Sequence, residues 1–402
     1  MKILQIHNRY RQRGGEDVAV EQERALLASR HEVIAWEKEN EVELESLWAR
    51  IRLLVSTHDS QRSRREMAQR LSDRPVDLVH VHNTFPLFTP GVLEVAREKG
   101  IPAVMSLHNY RLIHPNGLLF HEGKIDERSV NGSAWRTVPD GVYRDSILQT
   151  AVVAHLIEHH RKKKTWQRVP DLFIVLTEFA KQKLAEGGIP EQKMVVKPNF
   201  TEDPFNGPLS GHPKPGDRGV KPPVFLYVGR MSREKGVEDV IETWLRHRPQ
   251  AVLRLIGEGP QKSDLQERSK NNPEIEWAGR LPHEEVLREM ARSRALLFSS
   301  RCYEGFPMTL VEAFASGCPV IATDIGSQGE IVNEGETGLK VPVSDPDAIA
   351  ERAGQLIRNP ELARRMGETA RRIYERNYTP GENLRQLEAI YEEAVRRSRS
   401  SI

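Results

Sequence analysis

The chain reads as an α/β protein with two doubly wound sheets in tandem, and three observations carry that reading. Short apolar runs alternate with helical patterns along the whole length. Several of these runs are apolar on consecutive residues, as strands buried on both faces of a parallel sheet must be. Between residues 201 and 223 the pattern stops in the proline- and glycine-rich stretch TEDPFNGPLSGHPKPGDRGVKPP and then restarts. A length of 402 residues also suits two cores better than one.

In the first half the strands fall at Ile3 to Ile6, Val33 to Trp36, Leu78 to Val81, Ala103 to Leu107, Phe173 to Leu176 and Met194 to Val196. Helical stretches such as Val18 to Ala28 and Gly91 to Lys99 separate them, giving βαβ units. After the interruption, strands recur at Val224 to Val228, Val252 to Ile256, Ile275 to Ala278, Ala295 to Phe298 and Val320 to Ala322. The expected organisation is a domain over 1–200, a linker over 201–223 and a second domain over 224–377. A charged amphipathic helix over 378–398 is free to pack on either.

Charged residues make up 29%, hydrophobic residues 38%, and the formal net charge is +2. The mean hydropathy is -0.55. That is the balance of a soluble globular protein, and no run approaches the roughly 20 apolar residues of a spanning helix. The opening MKILQIHN reads as a buried strand and is too short in apolar length for a signal peptide, so a cytoplasmic location is expected. Neither half is basic enough to suggest a nucleic-acid partner. Two cysteines, Cys302 and Cys318, cannot build a disulfide framework or a four-ligand zinc site. The dense basic cluster HHRKKKTWQR, residues 159–168, follows the apolar stretch Ile147 to Ile157. It reads either as a solvated helix end or as a contact with an anionic membrane face.

The most informative segment is EGFPMTLVE, bracketed by Glu304 and Glu312. The spacing alone carries nothing, since glutamates eight apart recur at Glu37 and Glu45, at Glu234 and Glu242, and at Glu276 and Glu284. Location discriminates. The segment joins the strand candidate Ala295 to Ser299 to a helix candidate Met308 to Ser316, where an α/β sheet presents its ligand. Gly305 and Pro307 break the chain there and aim the helix's first N–H groups at the same space as Glu304.

Other strand ends supply complementary groups. GRMSREKG follows Val228 and offers Arg230 and Lys235 as a diphosphate clamp, with Gly229 and Gly236 permitting close approach. In LRLIGEGP, Gly257 and Gly259 open a turn at the same edge; a demand for positive φ explains them as well as a ligand does. The loop HNRYRQRGGED carries Gly14 and Gly15, which can let backbone N–H groups face an anion at a helix start; against this, Glu16 and Asp17 already occupy the favourable end of that helix's dipole, and a glycine hinge that closes over substrate satisfies both observations. His108, Asn109 and Tyr110 follow a strand in SLHNYRLIHP and form a polar pocket. His80 and His82 share one side of a strand, but two ligands are too few for a metal, so His82 and Asn83 are read as pocket lining. With no Ser-His-Asp set, H-E-x-x-H, CxxC, Walker loop or G-x-G-x-x-G, any chemistry runs on carboxylates, cations and backbone dipoles.

With EGFPMTLVE, GRMSREKG, RGGED and SLHNYRL together, the chain resembles glycosyltransferase family 4, retaining enzymes of the GT-B fold, in its bacterial polysaccharide-type members. The resemblance implies two Rossmann-like domains facing across a cleft, the first binding the acceptor and the second a UDP-, GDP- or ADP-linked sugar. It implies transfer by front-face attack, without a metal or other cofactor, to a glycan or lipid-linked glycan, in the cytoplasm at the inner face of the cell membrane. By position, Arg230 and Lys235 would hold the diphosphate, with Gly15 against it and Gly257 nearby. The segment Gly305, Phe306, Pro307, Met308, Thr309 and Leu310 would bind sugar and β-phosphate through backbone amides. Glu304 would contact the transferred sugar, Glu312 the ribose and His108 an outer sugar hydroxyl; His108, Glu304, Arg230 and Lys235 are the catalytic set. His82, Asn83, Tyr110 and Arg111 would lie on the acceptor side, with His114 and Asn116 as further candidates, and the last helix would return to the N-terminal domain. The chain departs from relatives that carry cysteines after the histidine, because Leu112 to Arg144 has none. An epimerase or phosphorylase on the same sheets, or a nucleotide-sugar-binding protein without turnover, would be the alternatives.

Overall fold

Two six-stranded parallel sheets, one in each half of the chain, organise the residues that the computed structural model describes, namely 1–9, 14–39, 60–206 and 222–400. Unit 1 comprises Met1–Leu119, Asp126–Pro198 and Asn383–Ile402; unit 2 comprises Phe120–Ile125 and Asn199–Glu382. The small hairpin at 120–125 thus groups with unit 2, whereas the sequence places it inside the first domain. The second unit also begins before the expected residue 224 and runs beyond 377. Most of the expected linker, residues 207–221, lies outside the described residues, as do residues 10–13 of the RGGED loop.

In unit 1 the strands are β1 (Lys2–Arg9), β2 (Glu32–Glu39), β3 (Leu78–Asn83) and β4 (Ala103–Leu107), with β7 (Leu172–Val175) and β8 (Met194–Val196) beyond the hairpin strands β5 (Phe120–His121) and β6 (Lys124–Ile125). Their order is β2-β1-β3-β4-β7-β8. β3 and β4 are buried at every residue, which is why their sequences LVHVHN and AVMSL carry no outward polar alternation beyond the histidines. β2 is longer than Val33 to Trp36 because it pairs with β1 along eight residues. The chain reverses its winding between β1 and β3, the switch point where such sheets leave a crevice at their carboxyl ends.

The last helix, Pro380–Ser400, supplies Leu384, Leu387, Ile390, Tyr391 and Ala394 to the core of unit 1, against Ile3, Leu78, Val104, Leu172 and Ile174. The apolar residues recur at three- and four-residue steps, so one helical stripe covers the sheet. Proline at its first position fits a helix start, where no backbone donor is needed.

Unit 2 contains β9 (Val224–Val228), β10 (Val252–Ile256), β11 (Ile275–Gly279), β12 (Ala295–Phe298), β13 (Val320–Thr323) and β14 (Gly338–Val341) in the order β11-β10-β9-β12-β13-β14. Successive residues point to opposite faces. Phe225, Tyr227, Leu253, Leu255 and Leu297 therefore join one core while Leu226, Ile256, Leu296 and Phe298 join another. The switch point falls between β9 and β12, the strands whose ends carry GRMSREKG and the Glu304 segment.

Candidate functional site

Each unit concentrates polar groups at the carboxyl end of its switch point. In unit 2, β9 leads through Gly229 and the exposed Arg230 to a single turn, Arg233–Lys235, and the helix Val237–His247. Gly236 has φ 63°, and a Cβ there would stand 2.1 Å from the Ser299 carbonyl oxygen. Only glycine lets the turn close against the end of β12. The Ser299 hydroxyl donates to the Lys235 carbonyl at 3.1 Å, and the Arg301 N–H to the Glu234 carbonyl at 2.8 Å. The turn with the cation and the loop with the carboxylate are thereby fixed to each other.

Lys235 Nζ donates to both Glu304 oxygens, at 2.7 and 2.8 Å, and the Ser300 hydroxyl donates to Glu304 Oε1 at 2.6 Å. An ammonium has three protons, so one remains for a further acceptor. Burial pulls the Lys235 pKa down, but Glu304 outweighs it and the net shift is upward. Arg230 makes no ion pair among the described residues, and its guanidinium stands in the open.

The helix Met308–Ala315 starts after Pro307 with no side-chain cap and no acidic residue in its first turn. Its leading N–H groups, at Met308 and Thr309, have the partial positive charge that suits an anion. Gly305 and Phe306 lie in the turn before it; Phe306 packs edge-on against Tyr378, ring centroids 6.2 Å apart. Leu310 points into the core, so only its backbone can serve a ligand. The Glu312 carboxylate is mostly buried, accepts no hydrogen bond among the described residues, and has His283 Nδ1 at 3.9 Å. Burial therefore pushes its pKa up. A buried carboxylate without donors is primed for a pair of hydroxyls.

Gly257 has φ 139°, and a Cβ on it would meet the Gly229 carbonyl oxygen at 1.9 Å. Its glycine identity follows from the close approach of the loops after β9 and β10, before any ligand is considered. Gly259 is similar, with the Met231 carbonyl oxygen at 2.3 Å.

In unit 1 the Gly14 N–H, expected to face an anion, instead donates to Asp17 Oδ2 at 2.9 Å, and Asp17 Oδ1 takes His7 Nε2 at 2.9 Å. Gly15 differs, because a Cβ there would meet nothing within 4 Å. Protein packing does not demand its lack of a side chain.

A pocket at the carboxyl ends of β3 and β4 is lined by Glu16, His82, Asn83, Phe85, His108 and Arg111, among others. Tyr110, expected on the acceptor side, is 1% exposed and does not line it. Arg111 lines the pocket, but its guanidinium stacks 5.1 Å from the Phe85 and Tyr143 ring centroids and donates to the Pro115 and Asn116 carbonyls. His114 is fully buried and meets Asn116 Oδ1 at 2.8 Å. Arg111 and His114 thus bond within the loop, Tyr110 and His114 are buried away from the pocket, and Arg111 keeps a place in its lining. Where cysteines are missing, Arg128 binds Asp126 and Asp140, and Arg161 binds the Ser129 and Gly132 carbonyls.

Beneath the pocket His82 Nδ1 meets His108 Nε2 at 3.1 Å, with the rings stacked. His80 bonds the Tyr391 hydroxyl at 2.8 Å and the Ser106 hydroxyl at 2.9 Å. Burial is the main cause that pushes His80 down to about 4 and His108 down to about 3. His82 falls well below the usual range through burial and then its histidine neighbours. All three rings are therefore neutral at neutral pH.

Sequence reasoning missed Glu23, Lys197, Gln5 and Ser300. Glu23 Oε1 lies 3.3 Å from His80 Nδ1 and 3.4 Å from His82 Nε2, completing a set of three groups that could reach a metal ion. Lys197 Nζ is 3.2 Å from the other Glu23 oxygen, however, and its charge opposes a divalent cation there.

Two parallel α/β units with polar crevices at their switch points define the chain as a GT-B protein. The model for "Glycosyltransferase Family 4" matches residues 12–203 and that for "Glycosyl transferases group 1" matches residues 212–373. The chain belongs to glycosyltransferase family 4. It is 24% identical over 357 residues to alpha-D-kanosaminyltransferase of Streptomyces kanamyceticus, covering 86% of this chain and 83% of that one. The first curated relatives are matched over 24% to 46% of their own length, so the chain spans less than half of each. Among solved structures, sucrose-phosphate synthase of Thermosynechococcus elongatus superposes with a TM-score of 0.68 at 17% identity, over 98% of this chain and 99% of that one. HepE of Anabaena in complex with UDP and glucose gives 0.65 at 15%, over 97% and 98%. These likenesses establish the fold.

Proposed function

We propose that the chain is a retaining glycosyltransferase that moves a sugar from a nucleoside diphosphate-sugar to a glycan or lipid-linked glycan, without a metal ion. The observation that carries the reading is the convergence at one sheet edge of an unpaired Arg230, a Lys235 with a proton to spare, an uncapped helix start at Met308 and two carboxylates, Glu304 and Glu312.

The donor's glycosidic carbon–oxygen bond breaks toward the diphosphate while the acceptor hydroxyl oxygen attacks from the same face. The hydroxyl proton passes to the departing phosphate oxygen. Negative charge grows on the diphosphate as the bond opens, and Arg230, Lys235 and the Met308 and Thr309 N–H groups stabilise it. Glu304, anchored by Lys235 and Ser300, receives hydroxyls of the transferred sugar; Glu312 receives the ribose hydroxyls. Each such charge-assisted hydrogen bond contributes about 1.5 to 3 kcal/mol. The absence of any side chain at Gly15 leaves the unit 1 backbone open to an anionic ligand, and the UDP seen in HepE supports a nucleotide of that class. His108 lines the unit 1 pocket, where its ring suits a sugar hydroxyl.

A lipid-linked acceptor would be met at an anionic membrane face. The helix Ile147–Lys162 begins with Ile147 and Leu148, 60% and 61% exposed, and runs into the exposed Lys162, Lys163 and Lys164. Trp135, 47% exposed, lies beside His155 of that helix with ring centroids 6.3 Å apart. Apolar tips, an interfacial tryptophan and cations suit a headgroup layer. Among the described residues no helix is long and apolar enough to cross a membrane.

The test is turnover. Thermal-shift screening against UDP, GDP and ADP selects the nucleotide, after which the matching sugar donors are incubated with EDTA present. Transfer or donor hydrolysis with retained anomeric configuration is expected. Tight donor binding with neither reaction would leave a binding protein, and loss of activity on chelation would overturn the metal-independent mechanism.

A further inference from the structure

A chain of hydrogen bonds runs from the surface of unit 1 to His108, and its direction can be worked out from one end. Arg24 Nε donates to Gln5 Oε1 at 2.7 Å. A guanidinium has donors and no acceptor, so the oxygen of the Gln5 amide must face Arg24 and the NH2 must face the other way. That NH2 stands 3.1 Å from His82 Nε2. The histidine nitrogen must then be the acceptor, without a proton. A neutral imidazole carries one proton, which is left to His82 Nδ1, and this nitrogen meets His108 Nε2 at 3.1 Å. His108 Nε2 accepts it, so the proton of His108 resides on Nδ1.

We propose that Arg24 and Gln5, acting through His82, fix His108 in the tautomer that offers Nδ1–H as a donor to the ligand of the pocket it lines. Gln5 and His82 are positioning residues; neither touches the ligand in this role. Glu23 Oε1, 3.4 Å from His82 Nε2, is the contact that favours a proton at that nitrogen. The Gln5 amide is nearer, and it cannot turn round without setting its own N–H groups against those of Arg24. Burial keeps both rings neutral at neutral pH, so the single-proton argument holds. The geometry thus specifies a neutral donor at His108, suited to a hydroxyl or carbonyl oxygen and unsuited to the proton of a hydroxyl that must itself donate.

What His108 touches rests on the glycosyltransferase reading; its tautomer does not, and the two are separable. Two-bond proton–nitrogen spectra of the full chain labelled with 15N-histidine distinguish protonated from bare ring nitrogens at pH 7, the His108 signals being those lost in His108→Gln. The expected result is a protonated Nδ1 and a bare Nε2. In Gln5→Glu a carboxylate would accept from both Arg24 and His82 Nε2, reversing the relay, so His108 should switch to a protonated Nε2. The same variant should lose about 10- to 100-fold in kcat/KM for the donor. A bare Nδ1 in the native protein overturns the proposal, and this spectrum decides even if Gln5→Glu fails to fold. An unchanged His108 tautomer in a folded Gln5→Glu variant overturns the role of Gln5. Absence of transfer with the native spectrum as expected would sink the enzymatic reading and leave the relay standing.

Discussion

Each unit holds a lysine–glutamate pair near its switch point, and the two pairs differ in what surrounds them. Lys197 and Glu23 in unit 1 have side chains 2% and 8% exposed, whereas Lys235 and Glu304 in unit 2 are 31% and 13% exposed. The first pair is enclosed by His80, His82 and Asn383, whose Oδ1 takes a Lys197 proton at 3.0 Å. The second opens beside an unpaired arginine and an uncapped helix. The same two residue types thus close a core in one unit and leave a proton available to a ligand in the other. Exposure, more than charge, decides which pair can do chemistry.

The largest effect that would sharpen this contrast is on stability. Glu23→Gln strands the Lys197 ammonium in the core, at a cost of about 3 to 5 kcal/mol and a fall in Tm on the order of 10 °C. A shift below about 2 °C in thermal denaturation would break the distinction. Lys235→Ala should do the opposite, leaving Tm within about 2 °C but lowering kcat/KM by about 100-fold, roughly 3 kcal/mol of transition-state stabilisation. Steady-state kinetics beside a melting curve check both halves. A smaller effect is expected from Glu312→Gln, which should weaken nucleoside diphosphate binding about 10-fold in a calorimetric titration.

The pH dependence separates the units more gently. His80, His82 and His108 have folded pKa values below the ordinary 6.5, so the unfolded chain binds more protons and stability falls as pH drops. The decline should begin near 6.5 and continue through about 4, where His80 charges in the folded state, to about 3, where His108 does. Lys235 is shifted upward, so its contribution is full below the ordinary lysine range and is lost only above it. Melting curves between pH 7 and 4.5 should lose the transition of unit 1 first; a flat Tm for that transition contradicts the neutral histidine cluster.

The fold was legible because strands buried on both faces leave continuous apolar runs, and the end of β12 was legible because Gly305 and Pro307 mark the break before a helix. The partners of His82 and Lys197 were not. Glu23 and Lys197 lie 174 positions apart, and only the order β2-β1-β3-β4-β7-β8 brings the helix after β1 and the residue after β8 together. Gln5 sits in an apolar strand where nothing in sequence distinguishes a relay from a tolerated polar residue. Arg111 and His114 follow a strand as ligand groups would, yet Arg111 also bonds the Pro115 and Asn116 carbonyls and His114 meets Asn116 Oδ1, contacts that no spacing in the sequence shows. Gly257 and Gly259 fitted the packing explanation, as the 1.9 and 2.3 Å approaches to carbonyl oxygens require.

The central claim is that the open pair in unit 2, with Arg230 and the helix at Met308, clamps a diphosphate without a metal. Calorimetric titration of the nucleoside diphosphate selected by thermal shift, with EDTA present, tests it on the native chain and on Lys235→Ala. The account predicts saturable one-to-one binding by the native chain and at least about 10-fold weaker binding by the variant. Equal affinity of the two, or binding by the native chain only after a divalent cation is restored, would contradict it.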